Sequence, residues 1–241
     1  MKEKNILALM YDFYNDHTLR GQNDDIGYYI EQIKKYSAKK VLIIGAGTGR
    51  VAIPLSNYAE VTALDFDEAR LNLLKKKNDS IVTICSNFLN SDLNDIFDLI
   101  ILPYSTLQFD GDENNLNMMF SKLRQIMNSK TILIFDVSES FNTKNEIDKK
   151  FLFKDFCSEC KSFVEVYYSS KRDNKYIEFF IEYKLIDLNF SVIENERYYY
   201  YNRDLLFYLV TKNNIDILKI DDGYGNNQFK HKHLYHCRRK N

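Results

Sequence analysis

Three glycines at alternating positions, Gly45, Gly47 and Gly49 in the stretch VLIIGAGTGR, and a carboxylate twenty residues beyond the first of them, Asp65, are the residues best placed to do chemistry. Glycine lacks a Cβ, so such a loop can turn tightly and let its backbone approach a bound molecule, and a helix that follows would aim its N-terminal amides there. A carboxylate at the end of the next strand can accept hydrogen bonds from both hydroxyls of a ribose. Arg50 stands where the dinucleotide fingerprint G-x-G-x-x-G needs its third glycine, and the Lys followed by Ser or Thr of a triphosphate-binding loop is missing. The plainer alternatives are a glycine-rich turn with no ligand, and for Asp65 a turn residue closing a strand.

A second set could move protons. The candidates for a general base are Tyr104, Gln108, Glu139 and His231, though each reads first as an ordinary loop or surface residue. Cys157-x-x-Cys160 with His231, His233, His236 and Cys237 has the residue types of a zinc site. Yet there is one such Cys pair only, and 231 and 233 share a strand face that 236 does not, so no metal is expected.

The chain has 241 residues, a formal net charge of -1 and a hydrophobic fraction of 45%. That length suits one α/β core with an appendage, and the balanced charge carries no footprint for nucleic acid. No apolar run reaches bilayer length and no secretory leader pattern opens the chain, so a cytoplasmic location is expected. Four cysteines are too few for a disulfide framework, in keeping with reduced thiols.

These residues need elements to hold them. Ile6, Leu9, Met10 and Phe13 predict an amphipathic helix whose other face carries Leu7, Tyr11 and Tyr14; the two tyrosines can cover a ligand or simply pack. Ile26, Tyr29, Ile30 and Ile33 predict a second helix. Apolar runs at Val41–Ile44, Val61–Leu64, Ile81–Ile84, Asp98–Leu102 and Thr131–Phe135 predict five strands. Between them lie expected helices at Arg50–Ala59, where Pro54 conflicts, at Asp67–Lys77, and around Leu116–Met127. Strands alternating with helices in this rhythm make a doubly wound parallel sheet, with ligands at the carboxyl ends of its strands. Past Asp136 the pattern becomes the strict alternation of an antiparallel meander at Phe163–Ser170, Ile177–Leu185 and Ser191–Tyr201. A helix at Arg203–Lys212 and strands at Ile215–Ile220 and Lys232–Arg238 then return to the main sheet. The expected division is therefore 1–149 with 202–241 as the core, and 150–201 as an antiparallel insertion.

The phrases VLIIGAGTGRVAIPLS, VTALDFDEARL and FDLIILPYSTLQF, with Asp136 after the fifth strand, resemble the motifs of the class I S-adenosylmethionine-dependent methyltransferases. The segment around YDFY and the late antiparallel insertion are most similar to small-molecule members, among them amino-sugar N,N-dimethyltransferases and glycine or sarcosine N-methyltransferases. The resemblance implies a Rossmann-like, seven-stranded, doubly wound α/β fold. It places Gly45, Ala46 and Gly47 against the amino acid part of the cofactor, Asp65 on the ribose, Asn87 and Phe88 at the adenine, and Phe66 and Pro103 in the same cofactor set. Tyr11 and Tyr14 match a motif that closes over it. Two positions depart from the family: Asn87 replaces a common Asp, though its amide oxygen can still accept, and Phe109 stands where His is frequent.

The expected function is thus methyl transfer from S-adenosyl-L-methionine to an amine or hydroxyl of a small molecule, with S-adenosyl-L-homocysteine as product. An amine is preferred on the resemblance, and the insertion would cover the substrate or make a homodimer. Readings from other classes are a nicotinamide-dependent oxidoreductase on the same fold and a noncatalytic protein that keeps the cofactor site.

Overall fold

A computed structural model describes residues 3–19, 24–109, 111–139, 145–224 and 231–240. Contacts divide the chain into two units, one of residues 1–21 and 141–200, the other of 22–140 and 201–241.

The larger unit is an α/β sandwich around a seven-stranded mixed sheet. Its elements are α2 (Asp24–Tyr36), β1 (Lys40–Ile44), α3 (Ala52–Leu55), β2 (Glu60–Asp65), α4 (Glu68–Lys77), β3 (Val82–Cys85), β4 (Leu99–Leu102), α5 (Glu113–Gln125), β5 (Ile132–Ser138), α6 (Arg203–Lys212), β10 (Ile215–Asp222) and β11 (Lys232–Arg239). The strand order is β10-β11-β5-β4-β1-β2-β3. Strands β1 to β5 pair in parallel, while β11 runs antiparallel to both β5 and β10. β1 and β4 are buried along almost their whole length because helices cover both faces, which is why they read as unbroken apolar runs. Since β2 lies on one side of β1 and β4 on the other, the connections leaving β1 and β4 diverge, and a crevice opens at their carboxyl ends.

The helix expected over Arg50–Ala59 is confined to Ala52–Leu55. Pro54 is its third residue, and the first-turn amides of a helix have no acceptor within it, so the missing N–H leaves no gap. Asp67 caps α4 by accepting from Ala69 N and Arg70 N, and three lysines close its last turn, opposite the negative end of the macrodipole.

The smaller unit holds α1 (Glu3–Thr18) and an antiparallel sheet of order β6-β7-β8-β9, formed by β6 (Ile147–Cys157), β7 (Ser162–Arg172), β8 (Tyr176–Leu185) and β9 (Phe190–Tyr199). Three strands were expected here and four are found. β6 lacks a clean alternation because its register against β7 shifts twice, between Ile147 and Lys150 and between Phe151 and Phe153, and each shift inverts the side-chain pattern. The expected division also placed the N-terminal helix with the core, whereas contacts place it with this sheet. Ile6, Met10 and Phe13 bury against Val164, Val166, Ile181 and Tyr183, so the apolar stripe of α1 finds its partner some 150 residues downstream. Cys157 and Cys160 belong to the same apolar cluster, and burial raises the Cys160 thiol to about 12, which makes it a poor ligand or nucleophile. Among the described residues no group of three or more His, Cys, Asp or Glu side chains is arranged to hold a metal ion. Nor is any described helix long and apolar enough to cross a membrane.

In the larger unit His236 on β11 is fully buried, with Nε2 3.2 Å from Asp221 Oδ2 and in contact with the Tyr28 hydroxyl, which itself donates to Asp221 at 2.6 Å. Burial, reinforced by Lys219 and Lys35, pushes its pKa down to about 4 against the pull of Asp221. The unfolded chain therefore takes up this proton near pH 6.5 and the folded chain only near 4. Stability is lost as pH falls through that window, by about 3 kcal/mol in total. Thermal unfolding between pH 7 and 4 should show this loss, and His236→Gln, which cannot be protonated, should flatten it.

Candidate functional site

The site is built where β1, β2 and β4 end. Gly45, Gly47 and Gly49 have φ values of +76°, +55° and +92°, all in the left-handed region that glycine enters without steric cost. Space imposes a second demand at two of them. A Cβ on Gly45 would lie 2.6 Å from the Thr106 side chain, and one on Gly49 would lie 2.8 Å from Leu74 and 3.0 Å from Ile53.

The hydrogen bonds of this loop decide what it can hold. Gly45 N and Ala46 N donate to Leu64 O at 2.8 and 3.0 Å, Gly47 N donates to Asp65 Oδ2 at 2.7 Å, and Gly49 N donates to Ala46 O at 3.0 Å. These four amides are engaged within the protein, so they do not form the nest of free N–H groups that a pyrophosphate needs. The Cβ-less sides of Gly45 and Gly49 are packed against Thr106 and against Leu74 and Ile53, which sets the loop tightly on its neighbours. Arg50, in the place of a third glycine, reaches back to α2 and grips Asp25 through both terminal guanidinium nitrogens, with Nη1 3.1 Å from Oδ1.

Asp65 is buried, and each of its oxygens accepts one amide, from Gly47 on Oδ2 and from Asp67 on Oδ1 at 2.9 Å. A carboxylate has about four acceptor sites, so both oxygens retain capacity for a ligand's hydroxyls. Burial raises its pKa above the ordinary carboxylate value, while the two amide bonds and Arg70 pull it back. The side chain both ties down the loop and faces the crevice end of β2.

Phe66, the next residue, is 72% exposed, an aromatic ring left open beside the carboxylate. Asn87 is exposed and accepts from Leu89 N at 2.9 Å, which leaves its amide oxygen a second lone pair. Phe88, in contrast, is buried, with the Lys122 ammonium 5.3 Å from its ring centroid. Only its backbone remains for a ligand on the open side. Pro103 is buried at the end of β4, its carbonyl accepting from Thr106 N at 3.1 Å.

The proton-moving candidates separate clearly. Gln108 is fully buried and its amide is matched to the backbone of Ser138, accepting from Ser138 N at 2.7 Å and donating to Ser138 O at 3.4 Å. It is a brace for the end of β5, not a group open to a substrate. Glu139 is exposed and pairs with Arg203 at 3.2 Å and with His233 Nε2 at 3.0 Å, while Asp222 takes His233 Nδ1 at 2.7 Å. His231 is exposed, and its carbonyl accepts from Glu139 N at 3.0 Å. Tyr104 is half-buried at the end of β4, with the Lys232 ammonium 4.3 Å and the Arg50 guanidinium 5.4 Å from its ring centroid. Tyr11 and Tyr14 lie in the smaller unit. Tyr14 packs edge-on to Tyr183 at 6.5 Å, and burial with Glu196 and Glu194 nearby raises its hydroxyl to about 12.

Several residues of this edge escaped the sequence reading: Asp25, Ser105, Thr106, Asp222, Lys232, and His233 as the partner of Glu139 and Asp222. The positive φ of two consecutive non-glycine residues, Tyr104 and Ser105, leaves no mark in composition or periodicity.

Residues 41–130 match the model of a family described as a methyltransferase domain. A curated relative from Geobacillus sp. (strain WCH70), named only provisionally as a methyltransferase, is 25% identical over 119 residues. The match takes in 46% of this chain and 47% of the relative, so the chain spans about half the length of the curated relative it matches. Among solved structures, an S-adenosylmethionine-dependent methyltransferase from Clostridium acetobutylicum ATCC 824 superposes with a TM-score of 0.82 at 17% identity, covering 96% of this chain and 98% of that one. The sugar N-methyltransferase KedS8 from Streptoalloteichus sp. ATCC 53650 gives 0.77 at 12% identity, covering 96% and 93%. CalS10, an amino pentose methyltransferase from Micromonospora echinaspora solved with S-adenosylmethionine, gives 0.75 at 13%, covering 95% and 96%. Residues 41–130 thus match a methyltransferase-domain model, and the chain has, over nearly its whole length, the fold of the S-adenosylmethionine-dependent methyltransferases. The expectation of that fold, with an antiparallel sheet set into the C-terminal half, is met.

Proposed function

We propose that this protein transfers the methyl group of S-adenosyl-L-methionine to an amine, or secondarily a hydroxyl, of a small molecule. The observation that carries the cofactor assignment is the loop's hydrogen bonding: amides turned inward beside a buried carboxylate suit a nucleoside bearing an amino acid, and disfavour a dinucleotide. In this reading Asp65 accepts from the ribose hydroxyls, the exposed Phe66 ring and Asn87 flank the adenine, and the Gly45–Gly47 backbone and Pro103 border the amino acid part.

When bound, S-adenosylmethionine supplies a methyl group already activated on a sulfonium, which passes in line to the acceptor while the C–S electron pair stays on sulfur as S-adenosylhomocysteine leaves. The chain's own part is to hold the acceptor's lone pair on that line and to exclude water, since positioning alone can remove several kcal/mol from the barrier. An amine that arrives as ammonium must first lose a proton, and Glu139, backed by His233 and Asp222, is the best-connected group at this edge to receive it. Preference for an amine, and for a sugar amine as first substrate to try, rests on the likeness to KedS8 and CalS10.

Incubating the protein with S-adenosylmethionine and a panel of amino sugars, simple amines and phenols, with mass spectrometry of the products, tests the acceptor. A methylated amine is the expected result. Methylation of phenols alone would overturn the preference for nitrogen, and no product from any acceptor despite bound cofactor would favour a noncatalytic binding protein.

A further inference from the structure

At the end of β4 the backbone is strained twice in succession, with φ of +57° at Tyr104 and +62° at Ser105. Residues with a Cβ visit this region singly and rarely, and such strain persists only where the surroundings over-determine it. Here they do. Asp136 Oδ2 accepts from Ser105 N at 2.8 Å and Ser105 Oγ at 3.3 Å, and from Lys232 Nζ at 2.7 Å. The same ammonium lies 3.3 Å from Ser105 Oγ and 4.3 Å from the Tyr104 ring centroid.

This ion pair is unusual in its setting. Asp136 is fully buried and Lys232 is 5% exposed, and Asp136 Oδ1 has no hydrogen-bond partner among the described residues. Buried ion pairs are seldom needed for stability, because apolar residues of similar volume often serve as well. A pair kept here despite an unsatisfied oxygen, and bonded directly to the strained residue, points to a task in holding that strain. The next residue shows where the strain is transmitted: Thr106 fills the space in front of Gly45, where a Cβ would lie only 2.6 Å from its side chain.

We propose that Lys232 and Asp136 are positioning residues for the cofactor pocket. Acting through Ser105 and Thr106, they fix the β4 loop against Gly45 and so shape the wall that meets the amino acid part of the methyl donor. The inference rests on the cofactor assignment above, and it separates the two halves of that ligand.

Calorimetry with two probes makes the test: S-adenosylhomocysteine, and 5′-methylthioadenosine, which lacks the amino acid part. Lys232→Met should weaken S-adenosylhomocysteine binding about tenfold or more while leaving methylthioadenosine within about twofold. Adding Ser105→Gly should restore most of the loss, because glycine holds a φ near +62° with no external tether. Equal weakening of both probes, unchanged affinity for both, or no rescue by Ser105→Gly would each overturn the proposal. If Lys232→Met does not fold, the isosteric Asp136→Asn carries the same prediction and the same grounds for rejection. A native chain that binds neither probe would overturn the cofactor assignment itself, whereas native binding with insensitive variants overturns only the role of the pair.

Discussion

Gly45→Ala is expected to weaken S-adenosylhomocysteine binding by about a hundredfold while the chain still folds. Two effects combine. An L residue at φ +76° costs about 1–2 kcal/mol, and the added methyl would lie 2.6 Å from Thr106, closer than real contacts allow, so either the β4 loop or the glycine loop must move. Neither can move freely, because Thr106 is bonded to Pro103 O and Gly45 N to Leu64 O. The displacement therefore falls on the wall of the crevice. Gly27 provides the control: it lies inside α2 with nothing within 4 Å of an added Cβ, so Gly27→Ala should leave binding unchanged and stabilise the helix by about 0.5–1 kcal/mol. Titration calorimetry with thermal unfolding on both variants checks the contrast.

Asp65→Ala should be more severe for binding, about a hundred- to a thousandfold, since charge-assisted hydrogen bonds contribute about 1.5–3 kcal/mol each and the carboxylate would serve both the ribose and the loop. The variant also strands Gly47 N and Asp67 N, which donate to it at 2.7 and 2.9 Å. The effect on stability has the opposite sign to a usual salt-bridged Asp. Burial raises the folded pKa above the unfolded one, so ionised Asp65 lowers stability as pH rises through its folded value. Accordingly, binding by the native protein should fall off on acidification at a higher pH than an ordinary aspartate would set, measurable as the pH dependence of the dissociation constant. Asp65→Asn should remove that dependence together with most of the affinity.

Much of the larger unit could be read before any coordinates were known. Val41–Ile44 and Leu99–Leu102 announce themselves because both faces of a central parallel strand are buried, and Gly45 to Gly49 because backbone turns there exclude side chains. The acid at Asp65 follows from the length of one strand–helix–strand unit. β6 was hidden because two register shifts destroy its alternation, and the partner of α1 because an apolar stripe does not say which distant face will cover it. The partner of Asp136 was opaque for a related reason: Lys232 has no periodic signature in its strand, and only pairing across the sheet brings it to 2.7 Å from that carboxylate. Gln108, read as a candidate for chemistry, is a buried amide that braces Ser138, a role that residue type alone cannot distinguish.

The proposed function requires that the crevice at the ends of β1, β2 and β4 take a nucleoside carrying an amino acid. Calorimetric titration of the native protein with S-adenosylhomocysteine, run beside NADH, tests it most directly. One site with micromolar affinity, on the order of -8 kcal/mol, is expected for the first ligand and no measurable heat for the second. Binding of NADH, or no binding of S-adenosylhomocysteine at millimolar concentration, would contradict it.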